Sequence, residues 1–233
     1  MTLRFAPLAA PLLLALTATA YGAAPKAPAR PAPLPDVVRV AMVTEQGTIT
    51  LDLDAKNAPV TTRNFVRYVD QRRFDGIVFY RVMRLKWGEQ PNGLIQAGTR
   101  GNPQKNLPPI AHEPTNFTGV LHKAGAISMA RNAPGTAAGD FSILLSDLPS
   151  LDANPAGATD DAKAGFAAFG HVVEGMEVVR RIYDVPLSTT LGQGVMKGQM
   201  IAKPVKVLTV RRVAIPAAAA ATAAPVPAPA PAP

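Results

Sequence analysis

The sequence contains no cysteine and no internal repeat, and each absence excludes a group of structures. Without cysteine, the 233-residue chain can form no disulfide framework, has no thiol nucleophile and offers no cysteine for lipid attachment. The lack of self-similarity at a period of about 20 to 50 residues excludes a solenoid or a propeller. Once both ends are set aside, the remaining length is that of one domain with a substantial core.

Several motifs for catalysis and ligand binding are also missing. No G-x-S-x-G segment marks the nucleophile of a serine hydrolase, and the glycines of "GLIQAGTRGNP" do not form a phosphate-binding loop. His112, Glu113 and His122 are close in sequence but lack the i, i+4 spacing of a helical zinc site. We therefore predict no metal site.

Positive charge is in moderate excess, with 24 Lys and Arg against 16 Asp and Glu, a net charge of +8. The arginine pairs at 72–73, 180–181 and 211–212 are scattered along the chain and form no single basic tract. This pattern predicts solvated faces or mild attraction to an anionic envelope, and no nucleic-acid partner.

The first 24 residues have the order of a secretory signal peptide. Arg4 precedes the apolar run "APLLLALTATA", and the small residues "AYGAAP" follow. This apolar run is too short to span a bilayer, although an uncleaved membrane anchor is the alternative interpretation. We expect cleavage, a periplasmic or secreted location, and no stable membrane insertion after processing.

Proline and alanine dominate the segments on either side of the central region. The linker at residues 25–35 and the tail at residues 216–233 alternate Ala and Pro, which cannot build a hydrogen-bonded ladder or a core. We predict a polyproline-like linker and a disordered tail. Residues 36–215 then form the single folded domain, for which we expect a monomer.

The central region alternates between strand and helix patterns. "DVVRVAMVTEQGTITLDLD" indicates a hairpin turning at Glu45–Gly47, and "APVTTRNFVRYVDQRRFDG" indicates a helix with Gly76 just past its end. Further strand candidates are "IVFYRVM", "GLIQAGT", "GAISMAR", "DFSILLS", "FAAFGHVV" and "PVKVLTVRRVAI", and "EGMEVVRRIYDV" indicates a second helix. Many short strands with two isolated helices predict a closed antiparallel barrel capped at its ends.

Taken in order, these segments resemble the cyclophilin-type peptidyl-prolyl cis-trans isomerases, in particular bacterial secreted members. The likeness rests on "GTITLDLDAKNAPVTTRNFVRYVDQRRFDGIVFYRV", "LIQAG", "GAISMARNAPGTAAGDFSILLSD", "LDAN" and "FAAFGHVVEGMEVVRRI". The resemblance implies an all-β fold, a closed eight-stranded antiparallel barrel capped by two α-helices. It also implies a Pro-containing peptide as substrate, bound on the outer face of the barrel, and no cofactor.

The resemblance assigns roles to particular residues. The family's F-[HY]-R-[VI] motif is Phe79-Tyr80-Arg81-Val82 here, which makes Arg81 the central catalytic residue, and the glutamine of the next strand is Gln96. Alternation places Arg81 on the same face of its strand as Phe79 and Met83. The predicted substrate-binding residues are Phe79, Leu94, Ala130, Ser142, Leu151 and Phe166.

Four positions depart from the family pattern. Gly93 and Ser142 replace phenylalanines, Ser150 replaces a tryptophan, and Phe166 replaces a histidine or tyrosine. Alternation along "DFSILLS" sends Phe141 into the core and Ser142 to the floor of the groove, which predicts a shallower, wetter proline pocket. Trp87, in the insertion "RLKWGEQPN", or Phe166 could refill that space; the alternative for Trp87 is a loop anchor packed on the barrel.

The sequence therefore predicts a peptidyl-prolyl isomerase that assists the folding of exported proteins, with Pro-containing unfolded or extended polypeptides as partners. Two other functions stay open. One is a weakly active or non-catalytic module that holds Pro-containing segments in the same groove, and the other is a structural envelope protein acting through its Ala-Pro tails. For Arg81 itself, the alternative to catalysis is a structural ion pair within the barrel.

Overall fold

The computed structural model describes residues 32–216. The predicted signal peptide, most of the linker before the domain and all but the first residue of the predicted tail lie outside these described residues. Within residues 32–216, no helix is both long enough and apolar enough to cross a membrane.

Eight strands and four α-helices make up the domain. The strands are β1 (Val37–Thr44), β2 (Gly47–Asp54), β3 (Val78–Arg84), β4 (Gly93–Gly98), β5 (Ala126–Met129), β6 (Asp140–Leu144), β7 (Ala167–Glu174) and β8 (Met200–Arg212). The α-helices are α1 (Pro59–Asp70), α2 (Thr115–Thr118), α3 (Asp160–Ala164) and α4 (Met176–Tyr183), and 3-10 turns lie at Pro149–Leu151 and Gly194–Met196.

The strands close into an antiparallel barrel in the order β1-β2-β7-β5-β6-β4-β3-β8. This confirms the predicted fold class, and every predicted strand is present. The predicted hairpin is also present, because Thr44 pairs with Gly47 across a two-residue turn. Gly47 has a φ of +126°, and a Cβ there would lie 2.9 Å from Val178, so the turn requires glycine.

Aromatic rings fill one part of the barrel interior and attach α1 to it. Phe65 of α1 lies 5.3 Å from Phe141 and 5.4 Å from Phe169, measured between ring centroids. Phe74, which follows α1, lies 4.7 Å from Phe65 and 5.5 Å from Phe141. The apolar face of α4, with Val179 and Ile182 fully buried, packs on the same core.

The helices differ from prediction in two respects. The first helix ends at Asp70 instead of continuing to the residue before Gly76, because Arg72 takes a left-handed φ of 55° and the chain turns there to bring Phe74 into the core. The short helices α2 and α3 were not predicted, since four or five residues are too few to show helical periodicity.

A register shift in β3 overturns one prediction about the site. The pairing of β3 with both neighbours is irregular between Phe79 and Arg81, so the simple alternation of faces is broken there. Phe79 faces the barrel interior with no exposed surface, while Arg81 faces outward in step with Met83. The prediction that Phe79 shares a face with Arg81 is therefore wrong: Phe79 does not line the cavity described below, and its ring centroid lies 6.4 Å from that of Phe141 inside the barrel.

Candidate functional site

A cavity of about 450 Å³ lies on the outer face of the barrel, over strands β3, β4, β6 and β5. The cavity is lined by seven of the eight predicted site residues, namely Arg81, Gln96, Leu94, Ala130, Ser142, Leu151 and Phe166. The structure thus brings together side chains that are up to 85 positions apart in sequence. Their roles in binding and catalysis remain predictions at this point.

Arg81 is held in the cavity by two glutamine side chains. Its Nε donates to Oε1 of Gln199 at 2.8 Å, and its Nη1 donates to Oε1 of Gln96 at 2.9 Å. Across residues 32–216 no carboxylate forms an ion pair with Arg81, and its Nη2 donates no hydrogen bond. The guanidinium is therefore oriented without being neutralised, and donors remain for a ligand.

The floor of the cavity is a row of polar side chains on three adjacent strands. Gln96 pairs with Ser142 across β4 and β6, and Ser142 pairs with Ser128 across β6 and β5. Phe141 is fully buried while Ser142 lines the cavity, as alternation along β6 predicts. The floor is consequently hydroxyl-lined where an aromatic ring was the family expectation.

Apolar side chains form the wall beside this row. Leu94 lies two residues before Gln96 on β4 and belongs to a small cluster with Leu144 and Leu148 on the outside of the barrel. Leu151 packs against the same cluster and also lines the cavity. The wall is thus anchored independently of the barrel interior, which fixes its position relative to Arg81.

Phe166 lines the cavity next to Leu151, whose carbonyl oxygen accepts a hydrogen bond from the Phe166 backbone N–H at 2.8 Å, and its ring lies over a buried arginine side chain. The guanidinium of Arg131 is 4.5 Å from the centre of the Phe166 ring, a cation–π contact. Arg131 also donates to the carbonyl of Gly165 at 2.6 Å and pairs with Asp161 at 2.8 Å. Of the two aromatic residues predicted as replacements, Phe166 lines the cavity. Trp87 does not line it, and with 60% of its surface exposed it is no packed anchor either.

A second group of polar residues, Tyr80, Arg100 and Asp140, also lines the cavity. The hydroxyl of Tyr80 donates to Oδ1 of Asp140 at 3.0 Å, and the backbone N–H of Arg100 donates to the same oxygen at 3.1 Å. Burial raises the pKa of both Tyr80 and Asp140. The guanidinium of Arg100 stacks over the Tyr80 ring at 5.2 Å. These contacts fix the residues that border Arg81.

The histidines and Glu113 serve separate structural purposes. Nε2 of His112 contacts the carbonyl oxygen of Ala164 at 2.9 Å, and Glu113 caps the start of α1. Among the described residues, no three His, Asp or Glu side chains are grouped so that they could hold a metal ion.

His122 joins the cavity floor to its apolar wall. Its Nδ1 is 2.7 Å from Oδ1 of Asp152, the neighbour of Leu151, and its Nε2 is 2.8 Å from Oγ of Ser128. A carboxylate only accepts, so Nδ1 carries the proton and Nε2 of the neutral ring accepts from the Ser128 hydroxyl. Burial lowers the pKa of His122 in spite of the Asp152 carboxylate, which keeps the ring neutral.

This histidine predicts a loss of stability in mild acid. The folded pKa lies below the ordinary value of 6.5, so below pH 6.5 the unfolded chain binds a proton that the folded protein excludes. The stability difference between wild type and His122→Gln should therefore shrink below pH 6.5, by at most about 1.4 kcal/mol per pH unit. Urea unfolding at pH 7.5, 6.5 and 5.5 measures it, and a pH-independent difference would contradict the assignment.

Several residues of the site could not be found from the sequence. Gln199 precedes β8 in a segment with no periodic pattern, and it reaches Arg81 only because the register shift places Arg81 opposite Met200. Tyr80 lies within the recognised motif, and Asp140 immediately precedes Phe141, so proximity to the motif is the signal that could have indicated them.

Sequence comparison identifies related proteins. The family model described as cyclophilin type peptidyl-prolyl cis-trans isomerase/CLD matches residues 39–212. A peptidyl-prolyl cis-trans isomerase of Acinetobacter baylyi is 35% identical over 184 residues, which cover 77% of this chain and 87% of the relative. A peptidyl-prolyl cis-trans isomerase A of Dickeya dadantii is 35% identical over 150 residues, covering 63% and 71% respectively.

Structure comparison agrees on the fold. A cyclophilin type peptidyl-prolyl cis-trans isomerase of Cryptosporidium parvum superposes with a TM-score of 0.60 at 17% identity, covering 77% of this chain and 99% of that one. The same enzyme in the presence of the dipeptide Ala-Pro gives a TM-score of 0.59, with 76% and 99% covered. The barrel, the family match across nearly all of it and these relatives together show that the chain belongs to the cyclophilin-type peptidyl-prolyl cis-trans isomerase family.

Proposed function

We propose that the protein assists the folding of exported, Pro-containing polypeptides by lowering the barrier to X-Pro rotation, with Arg81 as its central catalytic residue. The observation that carries this assignment is the state of Arg81: it is oriented by two amides, has no ion-pair partner among residues 32–216, and faces the cavity. The proposal is tested by NMR exchange or protease-coupled assay on a short X-Pro peptide, with and without Arg81.

The chemistry needs an electrostatic contact more than a reactive group. An X-Pro bond rotates slowly because resonance gives its C–N bond double-bond character, with a barrier of about 18–20 kcal/mol. As the bond twists, the lone pair of the prolyl nitrogen leaves conjugation and becomes a hydrogen-bond acceptor. The Arg81 guanidinium can donate to this nitrogen only in the twisted state, so the contact lowers the barrier instead of merely tightening binding.

Gln96 has the correct polarity for holding the substrate backbone. Its Oε1 accepts from Arg81, and this fixes the amide orientation with the Nε2 hydrogens on the other side. Those hydrogens can donate to the carbonyl of the residue before the proline. Gln96 would hold the carbonyl on one side of the X-Pro bond, and Leu94, Ala130 and Leu151 would hold the proline ring on the other. Rotation would then occur about the C–N bond between them.

We expect Ser142 to limit catalytic activity, because it weakens binding of the proline ring. Its hydroxyl lies between Gln96 and Ser128 on the cavity floor, where an apolar surface would bury the proline ring better. We predict that Ser142→Phe lowers KM and raises kcat/KM about three- to tenfold, since extra apolar burial contributes on the order of 1 kcal/mol. Leu208→Phe, exposed on β8 and away from the cavity, is the matched control. Unchanged or lower activity in Ser142→Phe would mean that Phe166 already closes the pocket.

A second candidate function follows from the same serine. A polar floor that binds the ring weakly favours a chaperone-like module that holds Pro-containing segments with little catalysis. The crystal structure of the Cryptosporidium parvum relative in the presence of the dipeptide Ala-Pro supports an X-Pro ligand for either function. Saturable peptide binding with no acceleration of exchange would identify the binding module.

Export carries its own prediction. Arg4, the apolar run and the Ala-rich junction motivate cleavage before the folded domain. Mass spectrometry of the protein recovered from an envelope or periplasmic fraction should find its N-terminus between Tyr21 and Pro25. An intact Met1 on that protein would contradict the export proposal.

A further inference from the structure

We propose that the cavity is also a docking site for this chain's own Ala-Pro segment, residues 224–233, which competes with substrate from within the same molecule. The segment reads "APVPAPAPAP" and contains five X-Pro bonds, four preceded by alanine and one by valine. The proposal rests on the proposed function, because it assigns a resident ligand to the groove described above.

The walls of the cavity suit a small residue before proline. Ala130, Ala138, Ser128 and Ser142 all line it, and none has a side chain that demands a bulky partner. A polyproline-like chain makes no internal hydrogen bonds, so its carbonyls are free to accept. The unused donors of Arg81 and Gln96 are positioned to meet such carbonyls. An Ala-Pro step therefore satisfies both the space and the polarity of the site.

Charge distinguishes the C-terminal segment from the proline-rich segment before the domain. Arg81 and Arg100 line the cavity without ion pairs among residues 32–216, and Asp140 is the one carboxylate that lines it. Cations are therefore disfavoured in the cavity. Residues 25–35 carry Lys26 and Arg30, whereas residues 217–233 have no charged side chain. The C-terminal segment is the better occupant.

The segment is long enough to reach the cavity. Met200 at the start of β8 lies opposite Arg81, and Arg212 at its other end is 12 residues away, at most about 40 Å along the strand. In polyproline geometry the 20 residues from Arg212 to Ala232 extend to about 62 Å, and the 16 to Ala228 extend to about 50 Å. The distal X-Pro bonds can therefore enter the cavity with length to spare.

Because the segment is attached to the domain, weak binding is enough for it to occupy the cavity. A ligand joined to its site by a short linker has an effective concentration on the order of 1 mM. A segment with a dissociation constant near that value fills the cavity about half of the time, and five overlapping X-Pro bonds multiply the ways of binding. The expected consequence is that kcat/KM for an external peptide rises about twofold when the segment can no longer bind.

The decisive variant keeps the full chain and removes only the proline rings of the segment. In it, Pro225, Pro227, Pro229, Pro231 and Pro233 are all changed to Ala; the matched control changes Pro28 and Pro31 to Ala in the other proline-rich segment. We expect the first variant to raise kcat/KM about twofold and to shift the Gln96 side-chain and Ala130 amide resonances, and the control to do neither. Measurements from 10 to about 500 μM protein should give the same difference.

Three results would overturn the proposal. These are equal kcat/KM and equal spectra for wild type and the five-proline variant, the same gain in the control variant, or a difference that grows with protein concentration and so comes from another molecule's segment. The proposed function fails in a different way: wild type and variant would both leave X-Pro exchange unaccelerated. In that case, resonance shifts in the five-proline variant would still establish docking of the segment.

Discussion

Arg81→Ala should lower kcat/KM for an X-Pro peptide at least tenfold, equivalent to more than about 1.4 kcal/mol of barrier, while the melting temperature changes by only a few degrees. The loss falls on kcat because the guanidinium meets the prolyl nitrogen only in the twisted state. Stability changes little because Arg81 is partly exposed and is bonded to the side-chain oxygens of Gln96 and Gln199, which water in the cavity can reach after truncation.

A matched control is available on the same strand. Arg84 ends β3, and its Nη2 donates to the carbonyls of Tyr183 and Val185 outside the cavity. Arg84→Ala should lower the melting temperature and leave kcat nearly unchanged, the opposite result to Arg81→Ala. Exchange NMR and thermal unfolding measured on both variants separate the two. An unchanged rate in Arg81→Ala, or a large loss of stability, would mean that Arg81 has a structural role, the alternative to catalysis that the sequence left possible.

The barrel and most of the candidate site could be predicted from the sequence because β6 and β4 are regular where they carry site residues. Alternation along β6 correctly sends Phe141 inward and Ser142 outward, since its pairing with β4 and β5 has no register shift. In β3 the same reasoning misplaces Phe79, because the irregularity before Arg81 places two consecutive residues, Tyr80 and Arg81, at the cavity. Periodicity contains no sign of where a bulge occurs.

Contacts made by loop side chains could not be predicted from sequence patterns. Gln199 reaches Arg81 because β3 pairs with β8, which is distant in the chain, whereas His122 contacts Ser128 only six residues ahead; in neither case do the neighbouring residues indicate the contact. The insertion with Trp87 illustrates the converse problem. A lone tryptophan beside a catalytic motif suggested a pocket wall or a packed anchor, but the loop is organised by Asn92 and Gln90, whose amides donate to the Trp87 carbonyl, while the indole is exposed.

Glu113 is a position where a single truncation should destabilise the domain strongly. Helix α1 begins with Pro59, which has no N–H, and Ala58 before it has no side chain able to cap. The Glu113 carboxylate takes over this role, accepting from the backbone N–H of Val60 at 3.0 Å and of Thr61 at 2.6 Å, and from the Thr61 hydroxyl. The carboxylate is also favourably placed against the positive end of the helix dipole.

We therefore expect Glu113→Ala to lower the free energy of unfolding by about 3–5 kcal/mol. The substitution leaves the backbone N–H groups of Val60 and Thr61 and the Thr61 hydroxyl without their acceptor, and it opens a cavity. Glu177→Ala is the matched control, since Glu177 lies in the first turn of α4 but is exposed, and it should cost less than about 1 kcal/mol. Urea unfolding of the three proteins measures these values. A loss below about 1 kcal/mol in Glu113→Ala would show that water replaces the cap.

The same variant separates stability from catalysis. Asn64 on α1 donates to the carbonyl of Ala138 at 2.8 Å, and Ala138 lines the cavity, so α1 supports one wall of the site. Arg81 and its two glutamines lie on or beside β3, β4 and β8, whose pairing does not involve α1. At a temperature where Glu113→Ala is still folded, its kcat should therefore stay close to wild type while KM rises about two- to threefold, an effect of under about 1 kcal/mol on binding. A kcat reduced as much as in Arg81→Ala would instead mean that the helix controls the position of the guanidinium itself.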